Sequence, residues 1–202
     1  VIDYITTEMN TNARGEDAVR MRELNSYSGT ACIAEWQKFP LWRQLLTANM
    51  PRTCMDTEMS SRQAALAMWA INVRQDGPWD HKPIIRRRFH PRVPTGEQVW
   101  HRLGAFDYFY DIWSNVHYGY VGVAWGFSES ALLDGAGLEQ IGSDIFRGRM
   151  PSSRPGVPGP RSYDDPSDQE SIAIGIRLYR LAPRGVTAQQ VRDAVVGSGV
   201  VT

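Results

Sequence analysis

A mainly α-helical single domain is predicted by three features of the chain. Apolar residues recur at helical spacing in most of it, two stretches dense in proline and glycine interrupt that period, and alternating apolar–polar runs are scarce. At 202 residues with 42% hydrophobic and 22% charged content, the chain is long enough to bury a real core. The larger interruption, 76–104, is expected to be a loop-rich insertion between helical halves, with a small β-hairpin near it.

The elements follow in order. Ile2, Ile5 and Met9 lie at i, i+3 and i+7, predicting an amphipathic first helix over 2–12 with Asp3 in its first turn. Gly15 breaks it, and Val19, Met21 and Leu24 carry a second helix over 16–27. Residues 32–49 read as a longer helical stretch bearing Trp36, Phe39, Trp42, Leu45 and Leu46, which Pro40 must kink or split. Ser60 and Ser61 are positioned to cap a helix over 62–75 with Leu66, Trp69, Ala70 and Val73 inside. Ile84 and Ile85 suit a short strand within the insertion. The run 110–126 reads as the central helix, and Ser128 can cap another carrying Leu132, Leu133, Leu138 and Ile141. Residues 147–163 hold four prolines and three glycines and predict an irregular surface loop. Asp165 as N-cap with Pro166 at the first helical position starts a helix through Ile172, Ile176 and Tyr179. Thr187 with Gln190 forms a capping box for the last helix.

Charge and composition narrow the function. Twenty-two basic and 22 acidic side chains leave no global field to draw in a polyanion, although Arg86, Arg87 and Arg88 make a local basic patch. No apolar run reaches the ~20 residues that span a bilayer. Cys32 and Cys54, the only cysteines, are either one disulfide or two buried thiols. The start at Val1 fits a fragment of a longer protein.

The central stretch carries the densest chemistry. Asp111, Asn115, Tyr118 and Gly122 fall at i, i+4, i+7 and i+11, a polar face on an otherwise buried helix. Gly119, Gly122 and Gly126 form a small-residue stripe beside it. Each interior glycine costs a helix roughly 1 kcal/mol relative to alanine, which is repaid where another backbone or a ligand approaches closely.

Four blocks in order, YITTEMNTNA at 4–13, DGPWDHK at 76–82, YDIWSNVHYGYVG at 110–122 and DDPSDQESIAIGI at 164–176, resemble the polymorphic toxin type 44 domain. The resemblance implies the C-terminal toxin of a large secreted bacterial protein, delivered by a secretion system into a target bacterium and neutralised by a cognate immunity protein. The family's described activity is that of a predicted ribonuclease. Its usual pattern has Asn where this chain has His117, and often Tyr where it has His81, so a histidine acid/base pair is not the shared machinery.

What the blocks share is carboxylates and amides: Glu8, Asn12, Asp80, Asp111, Asn115 and the Asp164–Asp165 pair. Glycoside cleavage needs a protonated carboxylic acid in an apolar setting and a second carboxylate nearby. Glu8, beside Ile5 and Met9, suits the acid, and Asp80 or Asp111 its partner. The spacing from Ile5 through Glu8 to Asn12 resembles the catalytic-glutamate segment of lytic transglycosylases, which implies a lysozyme-like helical arrangement. Tyr110, Asp111 and His117 resemble part of the colicin M motif, whose enzymes cleave the lipid-linked peptidoglycan precursor; Tyr108 and Tyr118 stand where that family has aspartate and arginine. Trp79, Lys82, Asn12, Asn115 and Tyr118 are the candidate substrate-binding residues. Asp164, Asp165 and Asp168 are either a helix start or oxygen ligands for a hard cation; the helix start accounts for two of them, and no metal or cofactor is expected.

Two readings result. In the first, the chain is an antibacterial effector that hydrolyses peptidoglycan strands or their lipid-linked precursor in the periplasm, with sugar rings stacked on some of its seven Trp and eight Tyr. In the second, it is a cytosolic ribonuclease with His117 as base, Lys82 or Arg86 to Arg88 on the phosphate and Tyr118 against an RNA base.

Overall fold

A computed structural model describes residues 1–89, 92–93, 96–97, 99–146 and 150–199 of the chain. Seventy per cent of the described residues are helical. The helices are α1 (Ile2–Arg14), α2 (Glu16–Ser26), α3 (Gly29–Gln37), α4 (Leu41–Leu46), α5 (Met50–Val73), α6 (Lys82–Phe89), α7 (Ile112–Ala124), α8 (Glu129–Phe146), α9 (Pro166–Leu181) and α10 (Ala188–Gly197). Between α6 and α7 lie two antiparallel ribbons, β1 (Arg92–Val93) with β2 (Gly96–Glu97), and β3 (Trp100–Leu103) with β4 (Phe106–Phe109). In the second, Trp100 pairs with Phe109 and Leu103 with Phe106 across a turn at Gly104, whose φ of 65° favours glycine. This is the expected hairpin.

Helix α7 is the axis of the fold. Val116, Tyr120, Val121 and Ala124 on it are fully buried, and Ile5 and Met9 of α1 and Ile174 and Ile176 of α9 close over it. The α7–α9 crossing is held by glycines on both sides. A Cβ at Gly119 would fall on the Ile172 carbonyl oxygen, and one at Gly175 on the Val116 carbonyl oxygen. Gly122 makes room for the Leu132 side chain of α8 in the same way. Two of the three expected glycines thus carry close approach, while Gly126, at φ 89°, ends the helix.

Most local signals behave as their chemistry dictates. Pro40 splits the 32–49 stretch into α3 and α4. The Asp165 carboxylate accepts from the Ser167 N–H at 2.8 Å, the Ser128 hydroxyl from Ala131 at 3.2 Å, and Thr187 with Gln190 makes the reciprocal capping box.

Several local expectations are corrected, among them Leu66 and Leu138, expected on inward stripes and each 57% exposed. Ile84 and Ile85 lie in α6, not in a strand, because Asp80 caps that helix from Lys82 N–H at 3.2 Å and Ile85 buries its face. Ser60 and Ser61 do not start a helix but sit mid-way along the 24-residue α5. The Ser60 hydroxyl turns back onto the Thr57 carbonyl at 3.0 Å, which lets a cap residue sit inside a helix. The helix begins instead at Met50–Pro51, with proline in its first turn. Cys32 and Cys54 form a disulfide, tying α3 to α5 across 5.8 Å between Cα atoms.

A carboxylate–lysine cluster as the candidate functional site

The α7–α9 crossing sets the first shared contact. With Gly119 and Gly175 in register, Asn115, one turn earlier on α7, donates to Asp168 Oδ1 in the first turn of α9 at 2.8 Å. Asp111 stands at the N-cap of α7, one turn below Asn115. Lys82, the first residue of α6, reaches the same space: burial opposes its charge, but Asp111, Asp168, Glu139 and Tyr110 around it outweigh that and raise its pKa. Asp164, between the 3-10 turn Pro160–Tyr163 and α9, completes the group.

These carboxylates are far from their solution behaviour. Burial, with the Asp168 charge second, pushes Asp164 up to about 7, and its Oδ2 is buried without a hydrogen-bond partner. Burial and then the Asp111 charge push Asp168 up to about 6, against the pull of Lys82 and the Asn115 bond. Asp111 is raised by burial, with Lys82 opposing. Near pH 7 Asp164 is about half protonated, beside Asp168, which titrates lower, and the Lys82 ammonium, a combination suited to general acid/base chemistry.

Asp165 and Asp80 stand differently. The Asp165 carboxylate also takes the Ser167 hydroxyl at 2.6 Å. Asp80 accepts from the backbone of Asp76 at 3.0 Å and of Lys82, so its carboxylate is engaged in the turn that launches α6.

A second polar group lies on the α1 side of α7. Asn12 donates to the Glu8 carboxylate at 3.5 Å and meets His117 Nε2 at 3.0 Å. The His117 and His81 rings stand edge to face at 4.2 Å, and the Tyr4 hydroxyl meets His81 Nδ1 at 2.9 Å. Both histidines are 1% exposed. Burial lowers His81 to about 4; burial and then the neighbouring His81 hold His117 well below the usual histidine range. They are neutral in the folded protein at pH 7. Trp79 packs edge-on against Trp69, Trp125 and His117. Tyr118 packs on Trp69 and donates to the Leu132 carbonyl at 3.1 Å, with burial pushing its hydroxyl up to about 12. These two aromatics are therefore part of the packing around the site.

The predicted residues thus divide into two groups. Lys82, Asp111 and Asn115 come together with Asp164 and Asp168; Glu8, Asn12 and His117 come together with His81 and Tyr4. Of the four histidines, His101 accepts from the Trp113 indole at 2.8 Å, and His90 lies outside the described residues, as do 147–149 of the expected loop. Among the described residues no group of three or more His, Cys, Asp or Glu is arranged to hold a metal ion.

The family model for bacterial toxin 44 matches residues 68–181, more than half of the chain. The chain belongs to the bacterial toxin 44 family. No curated protein and no solved structure matches it. Every member of the carboxylate–lysine cluster of this toxin lies inside the matched span, whereas Glu8 and Asn12 lie outside it. The sequence placed Asp164 among the carboxylates that the family blocks share, and Asp168 only in a helix start or among cation ligands, with neither assigned to a catalytic site. The signal that links them to Asn115 is the glycine at each side of the crossing, Gly119 four residues after Asn115 and Gly175 seven after Asp168.

Proposed function

We propose that this toxin hydrolyses a glycan of the bacterial cell envelope, peptidoglycan strands or their lipid-linked precursor, by carboxylate acid/base catalysis. The observation that carries the reading is Asp164, a buried acid with an unpartnered oxygen and a pKa near 7, coupled to the more acidic Asp168. Asp164 protonates the glycosidic oxygen as the bond to the anomeric carbon breaks. Ionised Asp168 or Asp111 takes a proton from the water that adds to that carbon, and solvent exchange returns Asp164 to its acid form. The Lys82 charge pulls Asp111 and Asp168 towards their ionised forms, against the burial that raises them. Asp164 is assigned the acid role ahead of Glu8 because its oxygen is buried and uncommitted, while Glu8 is bonded to Asn12.

Two features support an envelope target over RNA. Several carboxylates around a single lysine repel a phosphodiester and tolerate a neutral sugar. The Cys32–Cys54 disulfide suits an oxidising compartment such as the periplasm. Delivery into a neighbouring bacterium by a larger secreted protein, and protection of the producer by an immunity protein that occludes Asp164 and Lys82, complete the reading.

The test is incubation of the purified domain with isolated peptidoglycan sacculi and with purified lipid-linked precursor. Soluble fragments are expected from one of them, with release lost in Asp164→Asn and Asp168→Asn and retained in Glu8→Gln. Intact substrates in both, together with cytosolic toxicity and cleaved RNA, would overturn the proposal in favour of a ribonuclease.

A further inference from the structure

The α3–α5 corner presents apolar side chains that the core does not use. On α4, Leu41 is 72%, Trp42 63%, Leu45 71% and Leu46 78% exposed, on a six-residue helix with no buried residue. The segment 36–55 around it carries Lys38, Arg43 and Arg52 and no acidic residue. Glu35 and Asp56 bound it, pairing with Lys38 at 2.6 Å and Arg52 at 3.7 Å, while the Arg43 guanidinium lies over the Phe39 ring at 3.8 Å. The ion-paired side chains are more than 60% exposed, so the pairs are weak and open readily to other anions.

We propose that α4 is a membrane-docking element that inserts Leu41, Trp42, Leu45 and Leu46 into the interface of an anionic lipid bilayer, with Arg43, Lys38 and Arg52 at the headgroups. Tryptophan and leucine on a short helix rimmed by cations are the composition of an interfacial anchor. The disulfide and Trp36, whose indole donates to Thr47 at 2.9 Å, hold α4 on α3 and α5, so the anchor is presented ready-folded.

The proposal does not depend on the catalytic reading. The 202-residue chain is mixed with vesicles of phosphatidylethanolamine and phosphatidylglycerol, and with vesicles of phosphatidylcholine alone, and bound protein is measured by sedimentation. Binding is expected to the anionic vesicles, at least tenfold weaker to the neutral ones, and reduced about 100-fold by Leu45→Asp with Leu46→Asp. Those residues are exposed, so unchanged helical circular dichroism should verify folding. Arg43→Glu is expected to weaken binding to anionic vesicles about five- to tenfold. Absence of vesicle binding, equal binding by the double variant, or a concentration-dependent dimer in place of vesicle binding would overturn the proposal.

Discussion

Replacing Asp164 with asparagine keeps the side-chain shape, removes the titrating proton and is expected to make the protein more stable as it becomes inactive. Folded Asp164 titrates at about 7 against 3.8 for the free group. Between those values the native state holds a proton that the unfolded chain has released, so this group's contribution to stability falls as pH rises from about 4 to 7. At 1.36 kcal/mol per pH unit the loss reaches about 4 kcal/mol by pH 8 and is about 1 kcal/mol at pH 4.5. Coupling to Asp168 makes these figures ceilings. Asparagine carries none of this dependence. Urea unfolding of wild type and Asp164→Asn at pH 4.5 and 8 should therefore show a stability difference that grows with pH in favour of the variant. A difference that is the same at both pH values, or that favours wild type more at pH 8, would refute a buried, raised carboxyl and the acid role built on it.

Other outcomes follow from the packing and the histidines. His81 is lowered from 6.5 to about 4, so the unfolded chain binds the proton first, and its contribution is lost as pH falls through that window, about 3 kcal/mol in all; His81→Gln should flatten that acid limb in unfolding midpoints measured from pH 7 to 4. Gly119→Ala places a methyl on the Ile172 carbonyl and should cost about 3 kcal/mol or more in urea unfolding, because both partners are backbone. Reducing the Cys32–Cys54 bond, with a sequence separation of 22, should cost about 3 kcal/mol in the chain-entropy account, read as a lower melting temperature with dithiothreitol and in Cys32→Ser.

Where a signal is local, the sequence alone determined the outcome. Pro40 splits a helix wherever it stands, Asp165–Pro166 and Thr187 with Gln190 start helices with their own side chains, and the period of Ile2, Ile5 and Met9 aims α1 at the core. The family was also legible from its four blocks, three of which lie in the matched span. The strand at Ile84–Ile85 failed because two adjacent apolar residues fit either period, and the Asp80 cap decides for helix. The caps at Ser60 and Ser61 failed because the same hydroxyl can bond back inside a helix. The grouping of the candidate site was a matter for tertiary structure. Asp111, Asn115 and Lys82 were visible as polar residues, but nothing in their spacing says that Asp164 and Asp168, about 50 residues further on, share their space. That follows from how closely two glycine-faced helices approach, and the raised pKa values follow from the water which that approach excludes. Burial and field are properties of the packed molecule, so in sequence Asp164 looks like any other aspartate and its carboxyl is raised only once the chain has folded.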